Sequence, residues 1–150
     1  MMSKAKIDKN KMGRIVVTLH LANMVDRDLL ERGFISESEV RTYTVNNALV
    51  DTGSTRLCLP ADIIKKLGLK IAGTIDAQTA TGPETLDVYK GLELTVEGRE
   101  GRYDCVELPE GQTPLLGLIP LEDLGLDPDL QNQRLKHLPM KGKETYLTVL

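Results

Sequence analysis

Apolar residues alternate with polar ones over much of the chain, and the first clear case runs from Gly13 to Leu21. There Ile15, Val17 and Leu19 fall at every second position together with Leu21, a period of two that predicts a strand with one buried face. The same pattern predicts further strands over 40–45, 74–81, 85–89, 92–96, 99–108 and 146–150, with a weaker fragment at 132–135.

Helix signals are short and few. The stretch from Pro60 to Gly68 predicts a helix, because proline suits a first turn, Asp62 lies near the positive end of the helix dipole and Gly68 can end it. Its buried face would consist of Ile63, Ile64 and Leu67. A second short helix is predicted over 120–126, again with a proline in its first turn.

Two other stretches are less well defined. Residues 23–33 leave two structures open, a helix of one or two turns ended by Gly33 or a long loop around the sheet. Ser36 and Glu39 form a capping-box pattern, but the alternation over 40–45 favours a strand, so we predict no helix there. The pattern weakens again over 127–143.

Turn residues at close spacing separate these segments into about seven strands and two short helices. That arrangement predicts a mainly β protein, a partly closed barrel without internal repeat or domain boundary. Because a chain of 150 residues is long enough to bury a core, we predict one domain over 13–150. The lysine-rich residues 1–12 have almost nothing to bury and are predicted to form a mobile tail.

Composition narrows the class of protein. Aromatic residues make up only 3% of the chain and tryptophan is absent, so the core must consist mostly of Leu, Ile and Val. A net charge of -3 gives no electrostatic reason to expect nucleic acid as a partner. No apolar run approaches the length of a membrane span, and the N-terminus lacks the apolar region of a signal peptide. We therefore expect no membrane partner and a cytoplasmic location.

The residues that most often bind metals are sparse. Cys58 and Cys105 are too few and too far apart for a metal site or a disulfide scaffold, so we predict two reduced, buried thiols. His20 and His137 have no cysteine or carboxylate at ligand spacing. An Asp-Pro-Asp sequence at 127–129 lacks the rest of a calcium loop and is interpreted as a solvated turn. The sequence therefore predicts neither a metal nor another cofactor.

The most informative segment is the turn after the apolar run that ends at Val50. Asp51 follows a segment that looks buried, where a carboxylate is costly unless its surroundings stabilise the ion or remove its charge. Thr52 and Ser54 place hydroxyls on either side, and Gly53 permits a close backbone approach. A second apolar run, 57–59, then predicts a strand leaving the turn.

Two further segments accompany this turn. Leu115, Leu116 and Gly117 form an apolar pair followed by glycine, just before the predicted helix at 120–126. Between the two motifs lies a polar tip that joins strand-like arms, formed by Thr79, Ala80, Thr81, Gly82 and Pro83.

Together these segments resemble the aspartic proteases, specifically the small retropepsin-like kind of the prokaryotic single-domain branch. In that family Asp-Thr/Ser-Gly carries the catalytic acid, the apolar pair with glycine packs beside the active-site loop, and a hairpin flap lies between them. The resemblance implies an acid-protease fold, with Asp51 as catalytic residue and Thr52, Gly53 and Ser54 as its loop. It also implies that residues 79–83 contact substrate.

One Asp-Thr-Gly per chain further implies a homodimer. The chemistry needs two carboxylates that share a proton, and this sequence supplies one, so the second must come from another copy. The expected substrate is an extended peptide or protein. By the same resemblance, Thr52 would bond across the two-fold axis, and the Ser54 hydroxyl would donate to Asp51 and shift the pH optimum toward acid.

The chain departs from the retroviral pattern at two positions. Thr55 and Leu118 stand where viral members carry Asp and Arg, a charged pair that is absent here. Viral substrate rules therefore do not transfer to this chain.

Two other functions remain open from the sequence. A retropepsin-fold module that dimerises and binds extended peptides without cleaving them would keep the same motifs. A serine hydrolase using Ser54 is the weaker alternative, because no Gly-x-Ser-x-Gly sequence is present and neither histidine is near in sequence.

Overall fold

The computed structural model describes residues 14–140, which form a mainly β fold with short helices. The strands are β1 (Val16–Asn23), β2 (Thr42–Val50), β3 (Leu57–Pro60), β4 (Lys70–Thr79), β5 (Gly82–Val96), β6 (Arg99–Leu108), β7 (Leu115–Leu116), β8 (Leu126–Asp129) and β9 (Arg134–His137). The helices are α1 (Met24–Glu31), α2 (Ala61–Leu67) and α3 (Leu118–Asp123), with a 3-10 turn at Glu37–Glu39.

Seven strands form one sheet in the order β1-β2-β7-β3-β6-β5-β4. Because β1 also pairs with β5, six of these strands close into a ring, and β4 extends outside it on β5. Strands β8 and β9 form a separate two-stranded sheet. The predicted fold class, a mainly β and partly closed barrel, is therefore confirmed.

The core inside the ring is aliphatic, as the composition predicts. Strand β1 and the residue before it bury four alternating side chains in this core: Ile15, Val17, Leu19 and Leu21. This burial confirms the period-two prediction. Other fully buried side chains come from several elements: Leu57, Leu59, Leu67, Leu92, Leu94, Leu116 and Leu121. Burying side chains of this size, each worth about 1.5–3 kcal/mol, supplies the main stabilising contribution.

Helix α2 has the predicted ends. Pro60 precedes it in an extended conformation, Asp62 lies in its first turn, and Gly68 ends it in the left-handed region at φ 65°. Ile63, Ile64 and Leu67 are its buried residues, as predicted. Helix α3 begins two residues before the predicted start at 120 and ends at Asp123.

The stretch 23–33 contains α1, the helical alternative of the two structures left open. Three local predictions are corrected. Ser36 and Glu39 do initiate a short 3-10 turn, in which the Ser36 N–H donates to the Glu39 carboxylate at 2.9 Å and the Glu39 N–H donates to the Ser36 carbonyl at 3.0 Å. The segment 127–129 is not a solvated turn but part of β8, which pairs with β9. Residues 85–96 form one strand rather than two.

The hairpin of β4 and β5 confirms the two predicted arms, which are longer than expected. The strands pair from Lys70 opposite Lys90 to Thr79 opposite Gly82. Strand β5 continues beyond the hairpin because Gly91, at φ 92°, allows the chain to bend within a strand, where the pairing with β6 shifts register. The predicted mobile tail at 1–12 and strand at 146–150 lie outside the described residues.

A buried polar cluster joins α1 to α2. The Asn23 side chain accepts the Asp26 N–H at 3.0 Å and donates to the Leu67 carbonyl at 2.8 Å. Asp26 is 6% exposed and accepts bonds from the Arg41 backbone N–H and guanidinium at 2.8–3.0 Å. The Arg41 guanidinium is the main cause that keeps the pKa of Asp26 below its usual value.

Replacing Asp26 by Asn should lower the free energy of unfolding by about 1–2 kcal/mol at neutral pH, a value discounted because half of the Arg41 side chain is solvent-exposed. Since the folded state lowers this pKa, the Asp26 contribution is complete above its unfolded pKa, about 4, and is lost progressively as the pH falls from there through the lower pKa of the folded state. Urea unfolding of both proteins at pH 7 and pH 2.5 checks this. A stability difference that stays constant with pH would contradict it.

Candidate active site

Asp51 begins the loop that connects β2 to β3. Its backbone N–H donates to the Leu116 carbonyl at 3.0 Å, and its own carbonyl accepts the Ser54 N–H at 3.1 Å. The carboxylate accepts the Gly53 N–H at 2.9 Å. The aspartate is therefore fixed at the backbone by a neighbouring strand, while its side chain lies half-buried at the surface of the turn.

Gly53 allows the loop backbone to approach the carboxylate closely. A Cβ atom at this position would lie 3.1 Å from Asp51 Oδ1, tighter than ordinary van der Waals contact. Thr52 and Gly53 are both exposed. The loop thus leaves one edge of the acid and its glycine open to solvent or to another molecule.

The Ser54 hydroxyl does not donate to Asp51, so that sequence prediction is wrong for this chain. It donates to the Arg56 carbonyl at 2.9 Å and lies 3.4 Å from Cys58 Sγ. The Arg56 carbonyl, two residues further along the loop, points back toward the Ser54 hydroxyl and accepts its hydrogen bond. We therefore do not expect Ser54 to shift the pH optimum toward acid.

The motif at 115–117 lies beside this loop, as the resemblance implies. Strand β7 runs parallel to β2, with Leu116 opposite Val50, and antiparallel to β3, with Leu115 opposite Cys58. It therefore separates the two strands that hold the ends of the Asp51 loop.

Gly117 allows the start of α3 to contact the loop backbone. A Cβ on Gly117 would lie 2.2 Å from the Arg56 carbonyl oxygen and 2.7 Å from that of Ser54. Directly after it, the Leu118 N–H donates to the Ser54 carbonyl at 2.8 Å, and the Ile119 N–H donates to the Thr55 carbonyl at 2.9 Å. Backbone bonds thus connect α3 to the loop at positions where viral members use a charged pair.

The predicted flap residues form the tip of the β4–β5 hairpin. Thr79 and Gly82 are the last paired residues, and Ala80 and Thr81 make the turn between them. The hydroxyls of Thr81 and Thr79 both lie 2.8 Å from a Glu84 carboxylate oxygen and lower the pKa of that acid. The tip is therefore internally bonded; the contact of residues 79–83 with substrate remains a prediction.

Sequence reasoning missed an apolar cluster between this hairpin and the loop. Cys58, Val88 and Val106 are buried together, separate from the main core. Partly buried side chains pack against them: Ile75, Leu86, Leu108 and Leu115. The alternation of Ile75, Leu86 and Val88 along the hairpin was the available signal, but it did not show which face would remain accessible.

Both cysteines are free and buried, as predicted. Burial raises the pKa of Cys58, and raises that of Cys105 to about 12. Neither thiol is therefore a ready nucleophile. The serine-hydrolase alternative also loses support, since the described contacts of the Ser54 hydroxyl are a carbonyl and a thiol and not a histidine.

Across residues 14–140, no three His, Cys, Asp or Glu side chains converge in a way that could hold a metal ion. His137 instead bonds Glu97 at 2.6 Å, and His20 is exposed beside Thr44. The helices in this part of the chain are also too short to cross a membrane.

A known protein family matches the segment of the chain that contains this site. The sequence model of a family described as "Aspartyl protease" matches residues 37–119, which include the Asp51 loop, the hairpin and the 115–117 motif. No curated protein sequence matches the chain. Among solved structures, the solution structure of simian foamy virus (mac) protease is 19% identical, covering 68% of this chain and 86% of that one with a TM-score of 0.41. The family match spans more than half of the chain and includes both the Asp51 loop and the 115–117 motif. The chain therefore belongs to the retropepsin-like aspartyl protease family.

Proposed function

We propose that this protein is an aspartic endopeptidase that acts as a homodimer, with Asp51 of each copy forming the catalytic pair. The observation that carries the proposal is the Asp51 carboxylate, bonded to the Gly53 N–H at 2.9 Å in a loop whose next residues are exposed. The sequence contains a single Asp-Thr-Gly. A second copy related by a two-fold axis supplies the missing acid.

The chemistry follows from the electrostatics of two close carboxyls. At a separation of about 3 Å both cannot ionise cheaply, so the pair shares one proton. The ionised member removes a proton from a water molecule as it attacks the peptide carbonyl, and the protonated member donates to the carbonyl oxygen. The tetrahedral intermediate then collapses with protonation of the leaving amine. No covalent enzyme intermediate, metal or cofactor is needed.

The loop positions the acids for this step. The Gly53 N–H bonds the Asp51 carboxylate and orients it, and the bond from the Asp51 backbone to Leu116 fixes where the side chain begins. Thr52 is exposed next to the acid, where its hydroxyl can bond the partner loop and set the distance between carboxyls.

An extended peptide is the substrate that suits the hairpin. The flap residues 79–83 close over it and exclude water during turnover, while peptide backbone adds to exposed backbone groups as an extra strand. The partly buried Ile75 and Leu115, which pack on the buried cluster of Cys58, Val88 and Val106, offer a surface for apolar side chains of the peptide. A cytoplasmic site of action is consistent with two unpaired cysteines.

Mass-spectrometric mapping of products from a denatured protein library tests the activity. We expect cleavage by the wild-type protein over several pH values, suppression by a statine-type inhibitor, and no products from an Asp51→Asn variant. A binding module that retains peptides without cutting them is the competing function. Capture of peptides by the wild-type protein with no new termini at any pH would favour that module.

A further inference from the structure

A cavity of about 710 Å³ lies beside the active-site loop, and cationic side chains stand among its mainly apolar lining. Arg56, Lys70, Lys90 and Arg102 contribute four positive side chains, against one carboxylate, Asp104. We call this site the basic cavity. Its charge contrasts with the whole chain, whose net charge is -3.

Most of this charge is not compensated. Arg102 is paired with Asp28 at 2.8 Å and approaches Glu93 at 3.6 Å. The other three cations form no ion pair with any side chain of residues 14–140. The cavity therefore presents three unpaired positive groups to a ligand.

The strand register makes the arrangement costly. Lys70 and Lys90 are directly opposite each other in the antiparallel pair of β4 and β5, and like charges in that position destabilise a sheet. Lysine on an edge strand can discourage unwanted strand pairing, which would account for Lys70 on β4. It does not account for Lys90, because β5 pairs with strands on both sides.

Apolar side chains complete the lining. Val25 and Ile119 are 54% and 39% exposed at the cavity wall, near the buried Leu57 and Pro120. A small, strongly hydrated anion has no apolar part, so it would gain no binding free energy from these apolar side chains. A carboxylate on a peptide side chain would place its oxygens at the cations and its methylene groups on the apolar wall.

The basic cavity is within reach of a peptide bound at Asp51. Arg56 lies five residues after Asp51, so their Cα atoms are at most about 18 Å apart. An extended peptide advances about 3.3 Å per residue. A substrate positioned over the catalytic acid therefore reaches the cavity within about five residues of the cleaved bond.

We propose that the basic cavity binds an Asp or Glu side chain of the peptide substrate, so that this protease selects sequences with an acidic residue within about five positions of the cut. The inference rests on the proposed function for the way the peptide is placed. It assigns Arg56, Lys70 and Lys90 to substrate specificity rather than to catalysis.

Fluorescence anisotropy with labelled peptides tests the binding directly. The probes are extended twelve-residue peptides with an apolar centre and one Glu at the third, fourth or fifth position on either side, each compared with the same peptide carrying Gln. On the Asp51→Asn protein, which keeps the peptides intact, we expect at least one Glu peptide to bind about five-fold to ten-fold tighter than its Gln match at low salt. The preference should shrink in 0.5 M salt because the charges are exposed.

A charge-matched pair of double variants identifies the site. Lys70→Gln with Lys90→Gln should abolish the preference for Glu, whereas Lys65→Gln with Lys136→Gln, which changes net charge equally outside the cavity, should retain it. The first variant should unfold at the same or a higher temperature than the parent, since a like-charge pair is removed. Equal binding of Glu and Gln peptides, or a preference that survives the Lys70 and Lys90 changes, would overturn the proposal.

A competition experiment distinguishes a peptide ligand from a nucleic-acid ligand. An oligonucleotide of matched charge should displace the Glu peptide only weakly, because it cannot use the apolar wall; stronger displacement than by unlabelled Glu peptide would also overturn the proposal.

Failure of the two proposals can be told apart. Cleavage of Glu and Gln peptides at equal rates contradicts the acidic preference alone, whereas preferred binding of Glu peptides without any cleavage contradicts the peptidase alone.

Discussion

An Asp51→Asn variant should lose about a thousandfold or more of the peptide-cleaving activity while remaining folded. Asparagine has nearly the same shape, and its side-chain oxygen can still accept the Gly53 N–H that bonds Asp51 at 2.9 Å. It cannot ionise or share a proton, so both roles of the carboxyl pair disappear. Initial rates of peptide cleavage, measured with equal amounts of wild-type and variant protein, check this result.

Asp127→Asn provides the matched control. Asp127 is an exposed aspartate on β8, in the separate two-stranded sheet, and its replacement changes net charge by the same amount. We expect that control to keep full activity. An Asp51→Asn protein that retains activity within about tenfold of the wild type would show that the carboxyl pair does not account for the chemistry.

A Gly117→Ala variant should have the largest effect on the integrity of the loop. Its Cβ would lie 2.2 Å from the Arg56 carbonyl oxygen and 2.7 Å from that of Ser54, and both are backbone atoms that cannot rotate away. Relief requires α3 to move from the loop and weakens the bonds from Leu118 and Ile119 to it. We expect a loss of about 3 kcal/mol or more in unfolding free energy, with loss of activity.

Gly73→Ala is the control for this change. Gly73 lies in β4 at a register shift of the β4–β5 pairing, its φ is outside the left-handed region, and a Cβ there would meet nothing within 4 Å. Its replacement should alter the unfolding free energy by less than about 1 kcal/mol. Urea denaturation of both variants measures the difference. Equal stability of the two alanine variants would contradict the close packing of α3 on the Asp51 loop.

The parts of the fold that could be predicted are those governed by local pattern. Strand β1 follows from alternating apolar residues because one face enters the core, and α2 follows from Pro60, Asp62 and Gly68 because each suits a particular end of a helix. The continuous β5 could not be predicted, since the alternation indicated separate strands over 85–89 and 92–96, and Gly91 between them is a bend within one strand.

The active-site predictions likewise divide into those that follow from a sequence pattern and those that depend on the folded structure. The family pattern placed Leu116 beside Asp51, and β7 pairs with β2 there; the supporting role of Leu116 stays a prediction. The orientation of the Ser54 hydroxyl depends on a carbonyl of Arg56 that only the folded loop positions. The basic cavity combines residues from α1, β4, β5, β6 and α3, so no local pattern could reveal it.

Subunit mixing tests the central claim, that two copies of Asp51 share one site, most directly. A fixed amount of wild-type protein is allowed to exchange subunits with a ninefold excess of the Asp51→Asn variant, and cleavage is then measured. If activity requires Asp51 from both chains, random pairing leaves about a tenth of the original activity. Activity that is undiminished by the excess variant would show that each chain cleaves with its own carboxylate, contrary to the shared pair.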